Sequence, residues 1–197
     1  MIQGVLLAGG AGLRFGTNKL LHPLPGGGSI AVAAAHNLVC GLPRSLAVVR
    51  PGDDVLARQL RQEGLEVSYC PESVHGLGHS IACGVAASAG AGGWILALAD
   101  MPYICSSTIA AVAEAVARGA AVAVVEYGGR RGHPVGFGAQ LRAELLELRG
   151  DNGARSLIER HAADVVRIAT DDPGVLQDID RPADVAGLSG HGDDPAR

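Results

Sequence analysis

Gly4–Lys19 reads GVLLAGGAGLRFGTNK, and this stretch decides the fold. Its opening, Gly4–Ala8, is a short unbroken apolar run, as expected of a strand covered on both faces. Glycines and the cations Arg14 and Lys19 follow at once. In an open α/β sheet, ligands bind beyond the carboxyl ends of the strands, which is where such a loop would lie. Glycines let successive backbone N–H groups turn toward a phosphate chain with no Cβ in the way. Working outward, Leu46–Arg50, Leu65–Cys70, Trp94–Ala99 and Ala121–Glu126 repeat the strand pattern, and Val165–Ala169 resembles a late strand. Helices are predicted between them at Ile30–Cys40, Asp54–Glu63, Ser80–Ala89 and Ser107–Arg118. Asp53 or Asp54, Ser80, and Ser106 or Ser107 suit three of the starts, and Gly41, Gly64, Gly90 and Gly119 the ends.

This alternation predicts an α/β fold: a Rossmann-like three-layer sandwich with a mainly parallel sheet, right-handed crossovers and helices on both faces. The pattern changes at Tyr127–Gly138 (YGGRRGHPVGFG), which reads as a glycine-rich excursion carrying function and not as another crossover. Gln140–Leu148 and Ala154–Arg160 read as helices, and Arg181–Ala186 as a short one. No repeat or linker interrupts the chain. We expect a single domain over residues 1–188, with a frayed tail at 189–197.

Composition narrows the function. Of 197 residues, 48% are hydrophobic and 18% charged, which excludes global disorder. Aromatics are only 3%, too few for a platform that stacks single-stranded nucleic acid. A formal charge of -4 argues against a general nucleic-acid binder, so an anionic ligand would need cations gathered locally. Cys40, Cys70, Cys83 and Cys105 show neither C-x-x-C nor zinc spacing, and each lies in an apolar run as a small hydrophobe would. With no secretory signal at the start and no apolar run long enough to span a bilayer, a cytoplasmic protein without membrane partners is expected.

Two familiar phosphate loops fail. The pattern G-x-x-x-x-G-K-[ST] breaks because Thr17 follows Gly16 and Ala11 stands five residues before it. The dinucleotide fingerprint fits Gly10 and Gly12 but meets Phe15 at its third glycine, and no acid ends the second strand. A nucleotide-phosphate loop of a third kind remains.

Leu7-Ala8-Gly9-Gly10-x-Gly12-x-Arg14-Phe15-Gly16-x-x-Lys19 resembles the signature of the MobA/MocA-like nucleotidyltransferases, which attach a nucleotide to molybdopterin. The resemblance implies a nucleotide-diphospho-sugar transferase-like fold, with Leu7, Ala8, Gly9, Gly10, Gly12, Arg14 and Lys19 on the nucleotide. Further stations follow in the family's order, from Gly4 to Asp184. Asp100-Met101-Pro102 resembles its D-M-P motif, whose Asp is a metal ligand; an Asp there could instead cap the following turn. Asp178-Ile179-Asp180-Arg181-Pro182-Ala183-Asp184 is similar to a late D-x-D-T-P-x-D segment, with Asp180 the preferred second ligand over Asp178 and a helix cap the rival role. Arg181 replaces the usual Thr. Gly76-Leu77-Gly78-His79-Ser80 looks like a G-x-G-x-S segment near base and ribose, where Ser80 either bonds nucleotide or caps its helix. Gly132-His133-Pro134 resembles the acceptor-side G-H-P motif. Gly150–Arg155 matches a G-D-x-G-A-R stretch of the cytidylyl branch, in which Asp151 and Arg155 order the acceptor pocket unless Asp151 is an N-cap.

The implied reaction moves a nucleoside monophosphate from an NTP to a phosphorylated acceptor, molybdopterin in this family, and releases pyrophosphate. The acceptor oxygen is already anionic, so the difficulty is charge, and catalysis reduces to positioning and electrostatics. Arg14, Lys19 and Asp100 are the candidate catalytic residues, with Mg²⁺ on Asp100 and Asp180 bridging phosphate oxygens. Leu7–Gly10 looks like the guanylyl branch, but Arg14–Gly16, Gly132–Pro134 and Gly150–Arg155 look like the cytidylyl branch, so CTP is favoured over GTP. A molybdoenzyme or its chaperone is the implied partner. Three alternatives stay open: a transferase acting on a sugar phosphate or another small phosphorylated acceptor, a non-catalytic nucleotide-binding accessory protein, and a Rossmann oxidoreductase.

Overall fold

The computed structural model describes residues 1–10 and 18–186. The tail expected at 189–197 lies outside the described residues. Strands β1 (Gln3–Leu7), β2 (Ser45–Val49), β3 (Glu66–Tyr69), β4 (Gly93–Leu98), β5 (Val122–Tyr127), β6 (Arg130–Gly138) and β7 (Val165–Ala169) form one sheet in the order β3-β2-β1-β4-β6-β5-β7. All neighbours run parallel except β6, which is antiparallel to both β4 and β5.

Helices α1 (Ile30–Gly41), α2 (Asp54–Gln62) and α4 (Ser106–Ala117) cover one face. The other carries α3 (Leu77–Ala87), α5 (Arg142–Leu146) and α6 (Arg155–Arg160). A last short helix, α7 (Pro182–Ala186), follows the strap that returns from β7. Strand side chains alternate between two apolar layers: Leu6 and Ala8 pack with Ile30, Leu38 and Ile109, whereas Val5 and Leu7 pack with Ile81, Val85 and Leu157. The three-layer, mainly parallel architecture expected from the sequence is therefore what the chain adopts. No helix among the described residues is long and apolar enough to cross a membrane.

Three expectations are corrected. Tyr127–Gly138 is not an excursion but a tight turn and a central strand. Gly128 and Gly129 take φ of 55° and 75°, the positive values a two-residue hairpin turn needs, and β6 folds back between β4 and β5. Helix α3 begins at Leu77 with Gly76 at its N-cap, so Ser80 lies within the first turn and does not cap it. Cys70 and Cys83 are not simple hydrophobes: they form a disulfide between the end of β3 and α3, with Cα atoms 6.0 Å apart. Cys40 and Cys105 are free and exposed. The bond removes the cysteine argument for a cytosolic setting.

Candidate functional site

Parallel strands β1 and β4 are neighbours in register, so their carboxyl ends finish side by side, Leu7 opposite Leu98. That adjacency brings Gly10 to the cavity that Asp100 lines. The N–H of Ala8 donates to the Val48 carbonyl and that of Ala99 to the Leu7 carbonyl, which ties the ends of β1, β2 and β4 together. Gly9 packs too tightly for any side chain: an added Cβ would lie 2.7 Å from Ser73 Cβ and 3.0 Å from Ser80 Oγ. Gly10 is exposed and open. Gly12 and Arg14 fall outside the described residues.

After the loop, Asn18 accepts the Leu20 N–H and starts the 3-10 turn Lys19–Leu21. The turn aims Lys19 back at the sheet edge. Its Nζ lies 2.9 Å from Asp100 Oδ2 and 3.2 Å from Asp180 Oδ1. Burial pulls the ammonium's pKa down, but hydrogen bonds and charge from Asp100 and Asp180 together outweigh it, and the net pKa stands above the usual 10.5.

Asp180 arrives on the strap that follows β7. Asp172 anchors that strap: its Oδ2 accepts from Cys105 N at 2.8 Å and Thr108 Oγ1 at 2.9 Å, and its Oδ1 from Gly174 N at 2.9 Å. Gly174 then passes so close to Tyr103 that an added Cβ would lie 2.1 Å from its carbonyl oxygen. Buried Ile179 finishes the alignment, donating its N–H to Asp100 O at 3.0 Å. Asp184 serves the start of α7, accepting from Asp180 N at 2.9 Å and Arg181 N at 2.8 Å. Those two N–H groups, Arg181's first, hold its carboxyl below the usual range. Asp184 thus reaches back to the turn that leads into α7. Asp178 has no such contact with Lys19 among the described residues.

Two joined lobes open along this edge. The first, about 220 Å³, is lined by Gly10, Lys19, Leu20 and Asp100. The second, about 250 Å³, is bordered by Arg131, His133, Asn152 and Arg155 over an apolar floor. Leu7, Leu77 and Leu98 line both and form the divide.

His133 Nδ1 is sealed from solvent with no hydrogen-bond partner among the described residues, and burial, against the pull of Asp100, lowers the imidazole's pKa to about 4. Its neighbour Gly132 presses on the strap, where an added Cβ would lie 2.3 Å from the Val175 carbonyl oxygen. Pro134 is buried in β6, after a cis bond. Gly78 is a packing residue: its N–H donates to Gly150 O at 2.8 Å, and an added Cβ would meet Arg149 backbone. Ser80 is buried beneath Gly9. Asp151 does not cap α6, whose N-cap is Ala154, and it does not line the second lobe; Arg155 does.

Sequence reasoning missed Asp172, Ser73 and Arg131. Asp172-Pro173-Gly174 carried a turn signal, but nothing in it tells that the carboxylate reaches α4.

An open α/β sheet whose strand ends gather a glycine loop, a lysine and two carboxylates defines a nucleotide-handling protein. The chain belongs to the MobA-like NTP transferase domain family, whose profile matches residues 4–165, and is a nucleotidyltransferase by that membership. It is 31% identical over 191 residues to the purine catabolism protein PucB of Bacillus subtilis, covering 91% of each chain. It is 28% identical over 188 residues to nicotine blue oxidoreductase of Paenarthrobacter nicotinovorans, covering 91% of this chain and 92% of that one. Among solved structures, a homologue of Mycobacterium tuberculosis Rv0371c from Mycobacterium sp. strain JC1 superposes with a TM-score of 0.77. That pair is 29% identical, covering 95% of this chain and 94% of that one.

Proposed function

We propose that the protein transfers a nucleoside monophosphate from an NTP, CTP before GTP, to the phosphate of a molybdopterin-type acceptor, with release of pyrophosphate. The observation that carries this reading is the Lys19 ammonium shared between Asp100 and Asp180 at the lip of the lobe that Gly10 lines. Two carboxylate oxygens facing one cation are a donor set that fits Mg²⁺, which takes hard oxygen ligands and completes its shell with water and substrate phosphates. Asp100 and Asp180 would hold it; when bound, it neutralises phosphate charge and orients the α-phosphorus.

Lys19, relieved of the carboxylates, moves its ammonium to the phosphate chain. The amides of Gly9 and Gly10 serve the same chain, and the family resemblance assigns Gly12 and Arg14 to it. Ser80, behind Gly9, sets how close the nucleotide comes to the sheet. Arg14 is assigned to the charge that develops on departing pyrophosphate. The acceptor occupies the lobe of His133 and Arg155, its phosphate oxygen reaching past Leu98 toward the α-phosphorus. No general base is required, because that oxygen is ionised near neutral pH. Residues 1–188 act as one catalytic domain, serving a molybdoenzyme in the cytoplasm.

The test is incubation with Mg²⁺, molybdopterin and each NTP in turn, with pyrophosphate measured. Release above background with CTP supports the reading; release with GTP alone changes the base; none with any NTP removes the activity. A second reading, pyridine-nucleotide-dependent reduction, draws on the relative named an oxidoreductase. Titration with NADH and NADPH decides it, since a transferase has no use for either.

A further inference from the structure

We propose that Arg131 is the phosphate anchor of the second lobe, which selects a phosphate monoester carried on a flat, largely apolar ring system. The inference deepens the transferase reading and rests on it for the ligand's role as acceptor.

Arg131 and Glu126 are cross-strand partners in the β5–β6 hairpin, the register in which an ion pair between them would be ordinary. Instead the Glu126 carboxylate is taken by Arg167 on β7. Among the described residues no carboxylate pairs with Arg131, and its side chain borders the cavity. It is close enough to His133 for its positive charge to oppose protonation of that ring. The other cation of this lobe, Arg155, is engaged by Glu159 at 3.0 Å. Among the described residues, then, Arg131 is the guanidinium of this lobe without a carboxylate partner.

The rest of the wall says what accompanies the anion. Leu7, Leu96, Val135 and Ile158 make the floor apolar, which suits a ring face and not a polyhydroxylated chain. A guanidinium offers paired N–H donors matched to two oxygens of one phosphate, and the exposed Arg131 is open to a ligand. Arg131 lines the second lobe and is not among the residues lining the first, where Lys19 sits, so its anion is distinct from the triphosphate.

The probe is phenyl phosphate, titrated calorimetrically into the full chain beside inorganic phosphate and phenol. Wild-type protein binds phenyl phosphate about tenfold more tightly than inorganic phosphate, and Arg131→Gln weakens it by about tenfold or more while leaving phenol unchanged. Arg131→Lys recovers part of the loss, because charge returns without the fork. Equal phenyl phosphate affinity in wild type and Arg131→Gln overturns the proposal, as does no binding to wild type. A thermal melt checks that the variants fold.

Turnover separates this inference from the reading beneath it. With molybdopterin as acceptor, Arg131→Gln raises the acceptor KM by about tenfold and leaves the NTP KM within about twofold. If wild type releases no pyrophosphate, the transferase reading fails while the phenyl phosphate result still decides Arg131. If it turns over and the acceptor KM does not move, Arg131 is not the anchor.

Discussion

Lys19 Nζ lies 2.9 Å from Asp100 Oδ2, although 81 residues separate them in sequence. Asp180 completes the cluster at 3.2 Å from the same ammonium. One lysine thus occupies the carboxylates assigned to a divalent cation. On the proposed function the two cations compete for one pair of acids, and nucleotide phosphates offer the displaced ammonium a new partner.

Lys19→Met separates those roles. Removing the ammonium frees Asp100 and Asp180, so Mg²⁺ binding without nucleotide tightens by about fivefold, the scale of one partly exposed ion pair. Turnover falls in the same variant, by about thirtyfold or more in kcat/KM, for want of a charged contact to the phosphates. Calorimetry and pyrophosphate release read the two effects, and weaker Mg²⁺ binding in Lys19→Met would contradict the competition. The Lys19 ammonium's folded pKa lies above the unfolded one, so the stability it contributes is whole at neutral pH and is lost as pH rises through the raised value.

Asp172→Ala tests how Asp180 is delivered. The substitution leaves the N–H groups of Cys105 and Gly174 and the Thr108 hydroxyl without their acceptor. Stability should drop by roughly 2–4 kcal/mol in urea unfolding, as for loss of a buried charged acceptor. Turnover should fall with it, and Asp172→Asn should restore part of both. Wild-type turnover in Asp172→Ala would mean that the strap holds its place without this anchor.

His133 links the site to acid stability. Burial lowers its pKa from 6.5 to about 4, so the unfolded chain binds the proton first. Stability contributed by the neutral ring is present above pH 6.5 and is lost as pH falls from there toward 4. The loss is at most roughly 3 kcal/mol, and His133→Gln should flatten that part of the profile. Denaturation in chelator from pH 7 to pH 4 measures it; parallel profiles for the two proteins would exclude His133.

Reduction of Cys70–Cys83 should loosen the bed under Gly9, because Ser73 and Ser80, its two contacts, both lie inside the closed loop. A loop with this sequence separation of 13 stabilises by about 3 kcal/mol on chain-entropy grounds. For a chain of this size that corresponds to a Tm roughly 6–12 °C lower in dithiothreitol. Cys83→Ser should melt at the lower temperature with or without reductant. A Tm that dithiothreitol does not move in wild type would show that the bond contributes nothing.

The sequence was most readable where chemistry and periodicity coincide. Gly4–Ala8 had to be a buried strand, and the glycines after it were expected to meet a ligand at the sheet edge; Lys19, Asp100 and Asp180 then followed from motif order, and the structure brings them together. Pairings made across the fold were opaque. The glycines of Tyr127–Gly138 suggested a functional loop, but two of them serve the hairpin turn, and Gly132 yields to the Val175 carbonyl. Gly78 was read as a ligand contact, and its packing against Arg149 and Gly150 could not be foreseen from the motif. Cys70 and Cys83 gave no spacing signal, since their meeting depends on how α3 returns beside β3. Arg131 was hidden for a similar reason: only the register that gives Glu126 to Arg167 leaves it uncommitted.

The most direct test of the account is the Mg²⁺ dependence of pyrophosphate release by Asp100→Asn, a nearly isosteric change that removes one charge from the Lys19 cluster. With CTP and molybdopterin, wild type should release pyrophosphate only with Mg²⁺, and Asp100→Asn should lose about a hundredfold or more in kcat/KM while melting as a folded protein. A folded Asp100→Asn variant that turns over at the wild-type rate, with the same Mg²⁺ requirement, would contradict it.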